Sequence, residues 1–249
     1  MVAIGLNLLG QGLLAANWHG MLKWCGYPLP MRQLFRIYFL TGVSRYLPGG
    51  IWHFGGRIIW LSQLPVPLKA STRTVVAEQI SVLWVALVSS MFFVFSKGLS
   101  SLLLQALLGL MCFLLLIAAS VILTWTFKAA DCEDRSRRIQ SFKQITLYFA
   151  FWLCYGISIY TLIIALDYPI QQIESFTIIG YASLSWAVGY LIIFVPGGLG
   201  VREGVLTVLL SALLPFPIAG TIALLARLVS TIPELIWAAG LAKISVTPT

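Results

Sequence analysis

Tyr46-Leu47-Pro48-Gly49-Gly50-Ile51-Trp52-His53-Phe54-Gly55-Gly56-Arg57 and Phe194-Val195-Pro196-Gly197-Gly198-Leu199-Gly200-Val201-Arg202-Glu203-Gly204 are two versions of one phrase, each set in apolar sequence. Each places Pro-Gly-Gly in mid-segment and follows it with an arginine. Proline removes a backbone donor and glycine adds chain freedom, so a helix stops there. In lipid, a stopped helix leaves polar backbone with no water to satisfy it. Such a break survives only where protein surrounds it or a wet cavity meets it. Broken helices at matching places in two halves point to a transport site.

The composition supports the membrane premise. The 249 residues are 59% hydrophobic and 10% charged, with a mean hydropathy of +0.94. A soluble domain carries roughly a quarter charged residues. Sixteen Lys and Arg against eight Asp and Glu give a net charge of +8. No basic stripe with interleaved aromatics accompanies that excess, so nucleic acid is not expected as a partner. Cytoplasmic-loop charge and contact with anionic lipid account for it. Cys25, Cys112, Cys132 and Cys154 form no C-x-x-C pair, and neither a disulfide framework nor a metal site is expected. Residues 2–16 lack a basic n-region and read as a first span cut short at its start, rather than a cleaved signal.

A span needs about 20 apolar residues. Five full spans are expected, near 2–21, 74–96, 100–126, 144–166 and 217–242. Two further regions, 33–63 and 176–214, are interrupted by the Pro-Gly-Gly phrases and read as re-entrant hairpins of short helices. Lys23, Arg32, Arg36, Lys69 and Arg73 flank the first hairpin, and Lys128, Arg135, Arg137, Arg138 and Lys143 crowd one loop. Lys97 lies opposite, and Lys243 ends the last span. Basic residues mark cytoplasmic loops, which fixes one orientation with the second hairpin dipping from the outer face. Three spans separate the hairpins, so they point in opposite senses. The expected fold is an all-α polytopic membrane protein, 1–249 as a single transmembrane domain, with an inverted-topology repeat of halves 33–97 and 176–243. Ala77-Glu78-Gln79-Ile80-Ser81 and Ala226-Arg227-Leu228-Val229-Ser230 follow the two breaks at similar distances.

Arg45, Arg57, Arg202, Arg227, Glu78, Glu203 and Glu234 all fall in or beside apolar sequence. A charge at the bilayer centre costs about 2.5–3.5 kcal/mol on insertion scales, so it is normally paired, hydrated or functional. Arginine offers a planar fork that fits phosphate oxygens, and a half-helix N-terminus adds backbone donors. Two readings stand for Arg57 and Arg202: contact with a substrate phosphate, or structural pairing with Glu78, Glu203 or Glu234. Glu78 and Glu203 read as counter-ions or as groups that meet a proton or headgroup. Glu234, beside Pro233, and Arg227 read as counter-ions or proton-handling groups, and Arg45 as a snorkelling cation or a lipid-phosphate contact. Pro48, Gly49, Gly50, Pro196, Gly197, Gly198 and Gly200 would let a headgroup approach the main chain. His53 reads as a packed histidine, and Trp186 as packing. With only His19 and His53, no nucleotide loop and no metal-ligand cluster, the chain has no catalytic set and no cofactor is expected.

Arg45-Tyr46-Leu47-Pro48-Gly49 and Pro196-Gly197-Gly198-Leu199-Gly200-Val201-Arg202-Glu203-Gly204 resemble the lysylphosphatidylglycerol synthase transmembrane-region family, which includes the flippase half of the bacterial multiple peptide resistance factor. The resemblance runs from about residue 15 to 243, and the second motif is the more specific. The first departs from the commoner pattern by carrying Ile51-Trp52-His53-Phe54 before Gly55-Gly56-Arg57. Usual members also have more sequence before the first span, which implies a chain that begins late. The resemblance implies a lipid translocase of the bacterial or archaeal cytoplasmic membrane, moving an anionic or aminoacylated phospholipid or a polyprenyl-linked glycolipid. It implies no enzyme activity, because the soluble aminoacyl-transfer domain of the resistance factor is not in this sequence. Implied partners are the lipid, a second copy of the chain, or a lipid-modifying enzyme. A proton-coupled transporter of a small solute and a non-transporting membrane subunit are the alternatives.

Overall fold

A computed structural model describes residues 1–48, 51–95, 102–128, 134–168, 172–192 and 194–243. Among them there is no strand, and nine α-helices follow in order. They are α1 (Val2–Trp24), α2 (Met31–Val43), α3 (Trp52–Ser62), α4 (Leu68–Phe95), α5 (Leu102–Lys128), α6 (Asp134–Ala165), α7 (Gln172–Leu191), α8 (Val201–Leu210) and α9 (Phe216–Leu241). The five expected spans correspond to α1, α4, α5, α6 and α9. Within the described residues, three stretches are long and apolar enough to cross a membrane: Leu68–Val94, Phe142–Ala165 and Phe216–Leu241. Helix α1 has the length, but Asn7, Gln11, Asn17 and His19 dilute its apolarity. Asn7 and Asn17 are buried and donate to Ala3 O and Gln144 O, both at 3.0 Å. In α5 and α7 the shorter apolar stretches are Leu104–Ala118 and Phe176–Leu191.

Two boundaries differ from the sequence reading. Helix α6 starts at Asp134, so Arg135–Lys143 is helical rather than loop. Nothing between Asp134 and Lys143 is Pro or Gly, and its lysine, arginines and glutamine are good helix formers. Helix α8 starts at Val201, four residues before the short trailing piece expected at 205–214, so Arg202 and Glu203 sit in its first turn.

Both Pro-Gly-Gly phrases interrupt helices. Helix α2 tightens into a 3-10 turn over Ser44–Tyr46 and ends at Leu47, whose extended backbone (φ −77°, ψ 147°) suits a residue before proline. Gly49 and Gly50 lie outside the described residues. Helix α7 ends at Leu191, and a 3-10 turn over Pro196–Gly198 leads into α8. Gly197, Gly198 and Gly200 have φ of +56°, +66° and +81°, where a side chain would be strained. Helices α2, α3 and α8 have 13, 11 and 10 residues. At 1.5 Å per residue each reaches about 15–20 Å, well short of a hydrocarbon core of about 30 Å.

Small residues set the close packing. A Cβ on Gly156 of α6 would lie 2.6 Å from Ile179 Cα of α7. One on Gly10 of α1 would lie 3.1 Å from the Phe151 ring of α6, and one on Gly180 of α7 would lie 3.0 Å from Phe93 Cβ of α4. The two breaks meet inside this frame: a Cβ on Gly197 would lie 3.1 Å from the Tyr46 ring.

Candidate functional site

The meeting of the breaks opens a cavity of about 250 Å³. Arg45, Arg57, Arg202, Arg227, Glu78 and Glu234 all line it, although they come from four helices and the first break. Gly197 and Gly198 line it with their backbone. Glu203 lies just behind, on α8.

Each carboxylate has one arginine. Glu78 on α4 takes the guanidinium of Arg57 on α3, and the two are 0% and 1% exposed. Arg57 is also wedged between rings, with its Cζ 3.9 Å from the Tyr38 centroid and 5.3 Å from that of Trp18. Glu234 on α9 receives Arg45 Nη2 at 3.0 Å and the Tyr46 hydroxyl at 3.1 Å. Gly42 makes room for that pair, since a Cβ there would lie 3.0 Å from Glu234 Oε1. Glu203 Oε1 lies 3.5 Å from Arg227 Nη1 of α9.

The same groups satisfy backbone opened by the breaks. Arg45 Nε donates to Gly42 O at 2.9 Å, and Arg227 Nη1 to Gly197 O at 3.0 Å. Glu203 Oε2 accepts the Gly200 N–H at 2.7 Å, the carboxylate arm of a capping box that starts α8. Trp52 Nε1 donates to Pro48 O at 2.6 Å.

Arg202 is different. Among the described residues no carboxylate lies within ion-pair distance of it. Its guanidinium Cζ sits 4.8 Å from the Tyr155 ring centroid, a cation–π seat that leaves its N–H groups for another acceptor. Gly189 on α7 permits the approach, because a Cβ there would lie 2.9 Å from Arg202 Cβ.

The two arginines that follow the Pro-Gly-Gly phrases are therefore not equivalent. Arg202 is the second residue of α8, while Arg57 is the sixth residue of α3. The Trp52-His53-Phe54 turn of helix that precedes Arg57 moves it away from the helix tip and into the protein interior. Glu203, adjacent to Arg202 in sequence, pairs with Arg227 instead, as a rotation of about 100° per residue allows. Arg45 faces Glu234, with a side chain 33% exposed. His53 is buried and lines the cavity.

The sequence reading missed the polar and aromatic lining. Trp186 and Tyr190 of α7 stack with centroids 4.8 Å apart at 9°. The Tyr190 hydroxyl donates to Gln79 Oε1 at 2.9 Å, and Gln79 Nε2 donates to Glu78 Oε2 at 3.0 Å. Gln11 of α1 donates to Ser230 O at 2.7 Å, leaving its Oε1 without a partner. The i, i+4 spacing of Trp186 and Tyr190 was a usable signal, but ordinary packing produces the same spacing. Among the described residues no three His, Cys, Asp or Glu side chains converge as a metal would need.

Interrupted helices around a charged cavity, in a bundle with membrane-length apolar helices, define a membrane-embedded multi-pass protein with an internal polar site. The family described as lysylphosphatidylglycerol synthase TM region matches residues 1–238, and the chain belongs to it. The match begins at residue 1 rather than near residue 15, so α1 with its buried asparagines is part of the family region. No curated protein matches the chain.

Proposed function

We propose that the protein is a lipid translocase that carries a headgroup through this cavity while the acyl chains stay in the bilayer. The single observation that carries the reading is Arg202, the one cavity arginine without a carboxylate among the described residues. A half-buried cation on the cavity wall without a counter-ion is placed to take an anion. Arg57 contributes by holding the cavity wall with Glu78, which narrows the phosphate-binding role to Arg202.

The halves 33–97 and 176–243 act as an inverted-topology repeat in this proposal. Support comes from the charges: Arg57 of α3 faces Glu78 of α4, and Glu203 of α8 faces Arg227 of α9. In each half one ion pair ties the short helix after the break to the span that follows, with the signs exchanged. Rocking of one half against the other moves the headgroup between leaflets. The role is binding and movement, without covalent chemistry or a cofactor, in the cytoplasmic membrane of a bacterium or archaeon. A second copy or a lipid-modifying enzyme is its expected protein partner.

The test is leaflet exchange in proteoliposomes carrying a tail-labelled anionic phospholipid. Arg202→Ala abolishes exchange while the protein elutes from gel filtration as the parent does. Unchanged exchange in that variant removes Arg202 from the mechanism and with it the reading.

A further inference from the structure

We infer that the cavity accepts a lipid headgroup with one net negative charge, such as an unmodified phosphodiester bearing a hydroxylated polyol, and rejects the same lipid once a cationic amino acid is esterified to it. This rests on the translocase reading and names its substrate class. Of the four cavity arginines, three are matched one for one: Arg57 by Glu78, Arg227 by Glu203 and Arg45 by Glu234. Arg202 is left over, so the site carries one uncompensated positive charge. A phosphodiester monoanion closes that balance. A lysyl ammonium needs the opposite, a carboxylate without a counter-ion, whereas Glu78, Glu203 and Glu234 each already face an arginine.

The neutral part of the lining suits a polyol. Gln11 spends its amide N–H on Ser230 O at 2.7 Å, which fixes its orientation and leaves Oε1 as a neutral acceptor for a hydroxyl donor. The stacked Trp186 and Tyr190 rings add an apolar wall that a polyol or sugar can cover. Seating a lysylated headgroup would place its ammonium among Arg202, Arg227 and Arg45, and like charges at close range disfavour each other strongly when desolvated.

The experiment compares tail-labelled phosphatidylglycerol, its lysyl ester and phosphatidylethanolamine. Binding is read by native mass spectrometry, and leaflet exchange is read separately in proteoliposomes. Phosphatidylglycerol is expected to bind at least about tenfold tighter than its lysyl ester, since a charge-assisted hydrogen bond is worth about 1.5–3 kcal/mol and about 1.4 kcal/mol is tenfold. Arg202→Gln brings the two lipids within about threefold, a span under 1 kcal/mol. Arg202→Lys keeps the charge without the planar fork and retains the preference at weaker binding, which separates charge selection from a folding defect. Equal or tighter binding of the lysyl ester overturns the inference, whether or not either lipid moves. Selective binding with no exchange of any lipid sinks the translocase reading and leaves the charge selection standing. Water-soluble glycerophosphoglycerol is the last arm: displacement of bound phosphatidylglycerol at equal affinity would assign the site to a free anion and overturn the lipid source.

Discussion

The Arg57–Glu78 pair gives the sharpest test of how the charges divide their work. Both groups are buried, and Arg57 lies between the Tyr38 and Trp18 rings. Removing one member strands the other in an interior with no second ion-pair partner among the described residues. A lone break of a buried pair costs about 3–5 kcal/mol. Glu78→Leu leaves Arg57 without its carboxylate, and Arg57→Met leaves Glu78 with neutral donors such as the Gln79 amide at 3.0 Å. Each single variant should therefore lose about 3–5 kcal/mol, while the double variant Arg57→Met/Glu78→Leu loses less than the sum by at least about 2 kcal/mol, because two apolar side chains of similar length can replace the pair. The assay is reversible unfolding in mixed micelles, followed by tryptophan fluorescence, with the four proteins compared at one detergent composition. Additive losses would mean that the two groups do not depend on each other. A second outcome also refutes the reasoning: Arg57→Met with parental stability but no lipid binding would make Arg57 a headgroup contact rather than a strut.

Three glycines supply the remaining tests. Gly189→Ala puts a methyl 2.9 Å from Arg202 Cβ, which must push α8 from α7 and shift the guanidinium; exchange should fall severalfold with about 1–3 kcal/mol lost in stability, read in the same two assays. Gly156→Ala places its methyl 2.6 Å from Ile179 Cα and should destabilise by at least about 1–3 kcal/mol in thermal unfolding. Gly240→Ala, where nothing lies within 4 Å, should instead be neutral or stabilise by up to about 1 kcal/mol.

The breaks were legible in the sequence because Pro-Gly-Gly acts locally: it halts a helix whatever lies nearby. The buried charges were legible for a similar reason, since an arginine in apolar sequence needs a partner wherever the chain goes. Which partner it takes was not legible. Arg57 and Glu78 are 21 residues apart, Arg227 and Glu203 are 24 apart, and Arg45 and Glu234 are 189 apart. Only the tertiary arrangement chooses among pairings that composition leaves equally open. Helix ends were read less well where charged but helix-favouring residues extended an apolar segment, as at Asp134–Lys143. The cavity's aromatic wall could not be told from ordinary packing, because Trp186 and Tyr190 keep the i, i+4 spacing of any packed helix face.

Why a small cavity should need so much charge follows from the backbone rather than from the ligand. Two interrupted helices expose carbonyl and amide groups where lipid offers no hydrogen bonds. Arg45 covers Gly42 O, Arg227 covers Gly197 O, and Glu203 covers the Gly200 N–H. Those side chains carry charge into the interior, and a counter-ion for each limits the desolvation cost. Glu234 meets Arg45, and Glu203 and Arg227 meet one another, so Arg45, Arg227 and Glu203 serve backbone and balance together. Arg57 and Glu78 repeat the pairing one layer deeper, where the Gln79–Tyr190 link joins α4 to α7. By this accounting three arginines are spoken for by the fold. Among the described residues Arg202 covers no carbonyl and meets no carboxylate, and packing alone would have been served better by an apolar residue beside Tyr155. A group that the architecture does not require, held at the cavity at the expense of stability, is best explained by what the cavity binds.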